Sequence, residues 1–270
     1  MVSSYEKFYN FKEPPFVNLP DPAYFCETSV HKKALDKLIT GLKSEKGLIV
    51  LTGEPGTGKT MLARKLLEKL SQDDKFDPYL LIVTYPDGSK EWFFSRLAEK
   101  FGIDVNKENV IRGVLEKFLE TFKTGKKIVL IVDDAQFLRS KEILMALRGL
   151  YNLEFVKKRM VSIVLSGVYD LWNILKEEIS LLQRVELVIE LERLKPEEVV
   201  MYIEHRIKQA GGEPGVFTVE AMEKIAKYSQ GYPRLINIIC DNALIEGFMG
   251  KIKKIGPQII ENVAKMLRLK

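Results

Sequence analysis

The 270-residue sequence predicts an α/β fold in which a five-stranded parallel sheet is followed by a small all-helical part. Three observations support this prediction. Five short apolar runs lie between residues 47 and 191, helix-like segments separate each run from the next, and only helical patterns follow Leu194. Strands that alternate with helices are typical of a parallel sheet covered on both faces.

Each apolar run has the length and composition of a buried parallel strand. The runs are Gly47–Thr52, Tyr79–Tyr85, Lys127–Val132, Val161–Ser166 and Val185–Leu191. A helix is predicted from Lys59. Apolar residues spaced by three and four predict further helices over Ser89–Phe101 and Val110–Phe122.

The last quarter of the chain contains four helical patterns, with proline where a helix would begin and glycine where one would end. The prolines are Pro196, Pro233 and Pro257, and the glycines are Gly211, Gly231 and Gly250. We therefore predict three parts: an N-terminal segment (residues 1–46) packing on the core, an α/β core (47–193) and a helical lid (194–270).

Composition excludes several classes of protein. Hydrophobic residues make up 46% of the chain and charged residues 29%, which is ordinary globular usage. Cys26 and Cys240 have no paired spacing, so neither a disulfide framework nor a cysteine zinc site is predicted. No apolar run reaches the length of a membrane helix, and the start lacks the apolar run of a signal peptide. We expect a cytoplasmic protein without direct membrane insertion.

The strongest motif is GEPGTGKT, which fits G-x-x-x-x-G-K-[ST] between a predicted strand and a predicted helix. Its glycines let consecutive backbone N–H groups face phosphate oxygens at a helix N-terminus. Lys59 is expected to reach the β- and γ-phosphates, and the Thr60 hydroxyl to ligate Mg²⁺. The predicted nucleotide contacts are Gly53, Glu54, Pro55, Gly56, Thr57, Gly58, Lys59, Thr60 and Met61.

A second acidic motif follows the third apolar run. Asp133 comes directly after four apolar residues, so its carboxylate is predicted at the strand end where Mg²⁺ would be held through water. Asp134 occupies the next position, from which an acid polarises the attacking water. Together with GEPGTGKT, these acids predict a P-loop nucleotide site that uses ATP and Mg²⁺.

With both motifs placed, the chain resembles the AAA+ ATPases of the general secretion pathway protein A (ExeA) type nearly end to end. The matching segments include GEPGTGKT as Walker A, VDDAQFL as Walker B, LRGLYNLEF after it, and SQGYPRLINIICDNALIEG in the lid. The resemblance implies a P-loop NTPase core of the AAA+/ASCE kind, ATP with Mg²⁺, and a Walker B strand that is not adjacent to the P-loop strand.

Two positions depart from that family's pattern. Asp134 stands where the family has Glu, and a base about 1 Å further from the water could slow hydrolysis on the order of a hundredfold. Val168 stands where relatives carry Gln after the fourth strand, so the usual sensor-1 group is missing. Ser166 is the nearest replacement, and a plain strand-ending serine is an equally good interpretation.

The resemblance also suggests roles for two arginines. Arg234, in Gly-Tyr-Pro-Arg at the start of a lid helix, resembles sensor 2 and would contact the γ-phosphate. Arg184 precedes the fifth strand, where AAA+ proteins often present an arginine finger to a neighbouring subunit, and Arg148 and Arg159 are competitors for that role.

Other candidates carry weaker signals. Pro15, Phe16, Tyr24 and Phe25 are candidates for the adenine pocket, with core packing as the alternative. His31 and His205 have no metal-ligand spacing and are predicted to be surface or capping residues. The basic runs Lys157–Arg159 and Lys251–Lys254 are typical of solvated loops, with nucleic acid binding as the alternative.

We expect an ATPase that self-associates with nucleotide and drives assembly or remodelling of a partner, in secretion or envelope machinery. The longer relatives' membrane helix and peptidoglycan-binding region have no counterpart in this sequence, so we expect either an ATPase module or a free-standing member whose partner is supplied in trans. One alternative is a DNA-associated regulator resembling transposition helper ATPases. Another is an ATP-gated scaffold with slow or no hydrolysis.

Overall fold

The computed structural model describes residues 4–84, 89–105, 109–156 and 158–269. Their contacts divide the chain into two units. The sheet unit contains residues 33–54 and 59–191, and the helical unit contains residues 55–58, 192–269 and the described residues up to 32.

The sheet unit is built on five parallel strands in the order β2-β3-β6-β1-β7. The strands are β1 (Leu48–Thr52), β2 (Phe76–Ile82), β3 (Lys127–Asp133), β6 (Val161–Gly167) and β7 (Leu187–Glu190). A two-residue hairpin, β4 (Glu154–Phe155) with β5 (Lys158–Arg159), precedes β6. Because β6 lies between β1 and β3, the expected separation of the Walker B strand from the P-loop strand is confirmed.

The helices of this unit follow the strands in the order that the sequence predicts. They are α2 (Ser29–Lys43, shared with the helical unit), α3 (Lys59–Ser71), α4 (Lys90–Phe101), α5 (Val110–Lys123), α6 (Lys141–Tyr151), α7 (Leu171–Lys176) and α8 (Ile179–Leu182). Every residue of β1, β3 and β6 is buried. Burial on both faces explains why these strands read as continuous apolar runs.

The predicted and observed bounds differ most at β2. The strand begins at Phe76 and includes Pro78, whereas the sequence predicts a start at Tyr79. β2 is an edge strand, and an edge tolerates proline because one side needs no ladder hydrogen bonds. The predicted end of this strand, Tyr85, lies outside the described residues. Lys157, in the first basic run, also lies outside them.

The helical unit contains a short α1 (Tyr5–Tyr9) and four helices near the C-terminus, α9 (Pro196–Gln209), α10 (Val219–Ser229), α11 (Pro233–Met249) and α12 (Pro257–Met266). The three prolines stand at the first positions of α9, α11 and α12, as predicted. Gly231 has a φ of +79°, and a Cβ there would lie 2.0 Å from the Leu194 carbonyl oxygen, so only glycine fits.

The N-terminal segment differs from the expectation that residues 1–46 pack on the α/β core. Tyr9, Phe11 and Phe16 belong to the apolar core of the helical unit. The buried guanidinium of Arg206 on α9 donates to the Pro15 and Val17 carbonyl oxygens at 2.6 and 3.0 Å. Aromatic burial and these hydrogen bonds therefore attach the described residues up to 32 to the C-terminal helices, whereas residues 33–46 belong to the sheet unit. Among the described residues, no helix is both long enough and apolar enough to span a bilayer.

Candidate nucleotide-binding site

The loop between β1 and α3 has the backbone that the GEPGTGKT motif predicts. Gly56 and Gly58 adopt φ values of +84° and +101°, which residues with a Cβ rarely adopt. Lys59 is the first residue of α3, and its buried ammonium donates to the carbonyl oxygens of Gly53 (2.9 Å) and Glu54 (2.8 Å). The loop thus places a buried cation at a helix N-terminus, an arrangement suited to phosphate.

His31 supports the loop from within the helical unit. Its imidazole bonds the Thr57 carbonyl oxygen through Nε2 at 2.9 Å and the Thr28 hydroxyl through Nδ1 at 2.7 Å. A carbonyl only accepts, so Nε2 carries the proton and Nδ1 accepts from Thr28. A Cβ at Gly58 would lie 2.8 Å from this ring. Only 5% of His31 is exposed, so the surface alternative is wrong, whereas the bonds between His31 and Thr28 at the start of α2 agree with the capping alternative.

Burial lowers the pKa of His31 below its ordinary value, although the Thr57 carbonyl and the charge of Glu198 oppose this shift. The imidazole is therefore neutral near pH 7, which matches the hydrogen bonds that it makes. Sequence reasoning missed this residue because a lone histidine carries no spacing signal, and its partner Thr57 lies 26 residues away.

Arg234 lies next to the same loop. Its backbone N–H donates to the Gly56 carbonyl oxygen at 3.3 Å, and a Cβ on Gly56 would lie 3.3 Å from the Cβ of Arg234. The side chain is exposed. Gly-Tyr-Pro-Arg therefore begins α11 beside a P-loop glycine, in agreement with the sensor-2 resemblance, although the role remains a prediction.

Asp133 ends β3 with a buried carboxylate. Its Oδ1 accepts a hydrogen bond from the Ser166 hydroxyl at 2.7 Å. Thr60 is close enough to favour the charged form, yet Oδ2 has no hydrogen-bond partner of normal geometry among the described residues. Burial raises the pKa of Asp133, and the neighbouring Asp134 adds to this increase, while the two hydroxyls oppose it.

These oxygens fit the magnesium ion that the motif implies. Mg²⁺ prefers hard oxygen ligands and is usually held by one or two protein groups together with phosphates and water. The Asp133 carboxylate, with one oxygen unpartnered within the described part of the chain, and the nearby Thr60 hydroxyl supply such groups. Within the described ranges there is no cluster of three or more His, Cys, Asp or Glu side chains that could hold a metal ion without phosphate.

Asp134 is fixed by a residue that sequence reasoning did not single out. It adopts a left-handed conformation (φ +55°), and its Oδ1 accepts from the Gln136 side-chain amide at 3.0 Å. The Gln136 Oε1 in turn accepts from the backbone N–H of Val168 at 3.2 Å. Gln136 thus joins the turn after β3 to the end of β6. In the sequence, Gln136 is only one polar residue of VDDAQFL, and its near-complete burial is visible only in the structure.

The three arginines considered as trans fingers all have partners within the sheet unit. Arg184 donates to the Asn152 side chain at 3.2 Å and to the Ser180 carbonyl oxygen. Arg148 pairs with Glu178 at 3.2 Å, and Arg159 pairs with Glu186 at 2.9 Å. These contacts do not test a finger role, which stays a prediction for Arg184.

The adenine candidates lie within the helical unit. Phe16 packs edge-to-face on Phe217, and Phe25 packs edge-to-face on His31. The Arg206 guanidinium lies 4.7 Å from the ring centre of Tyr24. All these rings are buried, in agreement with the core-packing alternative, and the adenine role stays untested.

Comparison with known proteins identifies the class. Residues 42–175 match the family model described as "AAA domain". General secretion pathway protein A of Aeromonas hydrophila is 32% identical over 250 residues, which cover 90% of this chain and 45% of that protein. The chain thus spans less than half the length of this relative.

Solved structures share the fold at low sequence identity. The Pyrobaculum aerophilum Cdc6p structure has a TM-score of 0.71 at 19% identity and covers 91% of this chain and 71% of its own. The Aeropyrum pernix ORC2 protein, in ADPNP-ADP complexes, has a TM-score of 0.70 at 15% identity, with coverage of 96% and 71%. Drosophila ORC bound to DNA has a TM-score of 0.69 at 17% identity, with coverage of 98% and 67%.

The parallel sheet with β6 between β1 and β3, the P-loop and the buried Asp133 define a P-loop NTPase of the AAA+ class. Within that class, the chain is similar over 90% of its length to general secretion pathway protein A of Aeromonas hydrophila, and its AAA domain match lies inside that stretch.

Proposed function

We propose that this chain binds and hydrolyses ATP with Mg²⁺ and uses the cycle to assemble or remodel a partner protein of secretion or envelope machinery. The observation that carries the proposal is the Asp133 carboxylate, which is buried beside Thr60 and has one oxygen without a hydrogen-bond partner of normal geometry among the residues that the structure describes. A buried carboxylate that hydrogen bonds compensate only in part is costly, and a bound cation would remove that cost, which supports the proposal.

Each residue has a distinct task in this proposal. The P-loop N–H groups and Lys59 bind the phosphates, and Thr60 and Asp133 hold Mg²⁺, which supplies positive charge to the phosphates. Asp134, oriented by Gln136, accepts a proton from the attacking water. Ser166 orients Asp133 through its hydrogen bond, and Arg234 contacts the γ-phosphate.

The partner is proposed from the relative's name. General secretion pathway protein A supports a role in secretion, and the partner would be a membrane-anchored or other protein supplied in trans. We place the ATPase in the cytoplasm, where its two buried cysteines, both free of disulfides, would remain reduced. Nucleotide-dependent self-association would allow Arg184 to act on a neighbouring subunit.

Self-association is tested by measuring particle mass by light scattering with no nucleotide, with ADP and with a slowly hydrolysed ATP analogue. The proposal predicts a larger particle only with the analogue, and its loss in Lys59→Ala. Lys69→Ala, which removes an exposed lysine from the same helix, serves as the matched control. A single mass under all conditions would contradict assembly and remove the trans role of Arg184.

A DNA-associated regulator is the second candidate, favoured by the similarity to Drosophila ORC bound to DNA. It predicts duplex binding that requires ATP and weakens with salt. If duplex DNA is not bound at 50 mM salt with ATP present, this candidate is rejected. The scaffold alternative, motivated by Asp134 in place of Glu, predicts ATP binding without turnover.

A further inference from the structure

A concave cleft of about 800 Å³ lies in the sheet unit, at the amino ends of the strands. We call it the basal cleft, and its lining includes Lys75, Phe122, Lys123, Lys126, Phe155 and Lys158. The lining also includes Lys127, which begins β3, whereas Asp133 ends the same strand. Because a strand rises about 3.3 Å per residue, the cleft lies about 20 Å from the Asp133 carboxylate. Its volume lies within the range of about 300 to 1,000 Å³ that is typical of ligand sites.

The basal cleft has a strong excess of positive charge. Seven of its lining residues are basic, and Glu45 is its one acid. Three basic groups are neutralised by carboxylates, because Lys127 pairs with Glu45, Lys43 with Asp73, and Arg159 with Glu186. The other four are Lys75, Lys123, Lys126 and Lys158, which form no ion pair with any described residue.

Aromatic surface is combined with this charge. The rings of Phe122 and Phe155 meet edge-to-face with centres 6.1 Å apart, and 44% of Phe155 is exposed. Phe155 lies in the β4–β5 hairpin, directly before the exposed Val156. An exposed apolar ring, that of Phe155, lies among lysines that form no ion pair with described residues. A surface that binds single strands combines these two components, because lysines contact phosphates and bases stack on aromatic rings.

We propose that the basal cleft binds single-stranded nucleic acid, with phosphates on Lys75, Lys123 and Lys126 and a base against Phe155. Duplex DNA would satisfy the lysines only, because its bases are stacked on each other and present no free face. An acidic polypeptide would likewise leave the ring without its stacking partner. The site lies away from the P-loop, so binding is independent of ATP hydrolysis.

The probe is a fluorescently labelled oligothymidylate of about twelve nucleotides, followed by anisotropy with the full chain. We expect binding at 50 mM salt that weakens roughly tenfold to twentyfold at 200 mM, as three phosphate contacts would give. Lys123→Glu with Lys126→Glu should lower the affinity at least tenfold and flatten this salt dependence. Phe155→Ala should lower it about fivefold or more with the salt dependence unchanged.

The matched control is Lys251→Glu with Lys254→Glu, which changes net charge equally at the second basic run and should bind as the wild type does. Thermal unfolding verifies that each variant is folded. Measuring binding in Lys59→Ala without ATP separates this proposal from the proposed function, because the cleft should still bind there. The proposal is overturned if the wild type does not bind, if the control loses as much affinity, or if polyglutamate binds equally well and Phe155→Ala has no effect.

Discussion

Asp133 is a residue whose buried environment is unfavourable for a charged carboxylate. Burial raises its pKa, which means that folding penalises the charged carboxylate. The folded pKa exceeds the unfolded one, so the penalty is absent at low pH and appears as pH rises through the folded pKa. At neutral pH the charged Asp133 carboxylate therefore lowers the unfolding free energy of the nucleotide-free protein.

Asp133→Asn should raise the stability of the nucleotide-free protein by on the order of 1 kcal/mol at pH 7, while ATP hydrolysis falls to background. Asparagine keeps the shape of the side chain and an acceptor for Ser166 but carries no charge. Urea unfolding with parallel phosphate-release assays measures both effects. Asp73→Asn is the control. The Lys75 backbone N–H and Lys43 lower the pKa of Asp73, so removing the charge of this carboxylate should not stabilise the protein. If Asp133→Asn were less stable than the wild type, burial would not penalise the charged carboxylate.

His31 makes a second prediction at the scale of one side chain. Its folded pKa lies below the unfolded value of about 6.5, so it contributes stability above that pH, and the contribution is lost as pH falls towards the folded pKa. Between pH 7.5 and 5.5, the unfolding free energy of the wild type should fall more steeply than that of His31→Gln, by up to about 1.4 kcal/mol per pH unit.

Urea unfolding at several pH values measures that slope. His205→Gln is the comparison, because burial and the neighbouring Arg206 and Lys208 also lower the pKa of His205, away from the P-loop. Only His31→Gln should in addition weaken ATP binding at pH 7.5, since it removes the hydrogen bond to Thr57. Equal slopes for wild type and His31→Gln would refute the buried neutral imidazole.

Among the elements, we expect the turn after β3 to limit the rate of the proposed chemistry. Asp134 is one methylene shorter than the Glu of its relatives, and the Gln136 amide holds it. Asp134→Glu should therefore raise turnover severalfold or more, up to about a hundredfold, because positioning losses of about 1 Å have that size. Gln136→Ala should lower turnover and leave ATP affinity nearly unchanged. Steady-state ATP hydrolysis rates measure the turnover of both variants. An unchanged rate in Asp134→Glu would show that the length of the side chain at position 134 does not limit hydrolysis.

The start of α11 carries the next element-scale prediction. Arg234→Ala keeps the backbone hydrogen bond to Gly56 but removes the guanidinium. If that group contacts the γ-phosphate, ATP affinity falls about tenfold or more, and ADP affinity stays within about twofold. Competition binding with ATP and ADP measures the difference. Arg193→Ala, which removes a guanidinium over the Tyr232 ring, should change neither affinity.

At the scale of the whole molecule, buried strands and local motifs were predictable. β1, β3 and β6 are buried on both faces, so each is a continuous apolar run, and the P-loop and Asp133 follow such runs directly. The order of strands came from family resemblance, because pairing of β1 with β6 rather than with β3 leaves no local pattern.

What the sequence could not predict depends on long-range contacts between single residues. His31 with Thr57 and Gln136 with Val168 are pairs joined only by the fold. The N-terminal segment joined the helical unit because its aromatic residues are buried there, and composition alone does not specify which surface will bury them. The two-residue strands of the β4–β5 hairpin are too short for any periodicity.

The proposed function depends above all on hydrolysis of ATP with Mg²⁺ by this AAA+ module. Phosphate release at saturating ATP measures this activity, with and without Mg²⁺, in the wild type, in Lys59→Ala and in the Lys69→Ala control. We expect Mg²⁺-dependent release by the wild type and by Lys69→Ala, well above the Lys59→Ala background. A wild-type rate equal to that background would contradict this expectation and favour the ATP-gated scaffold.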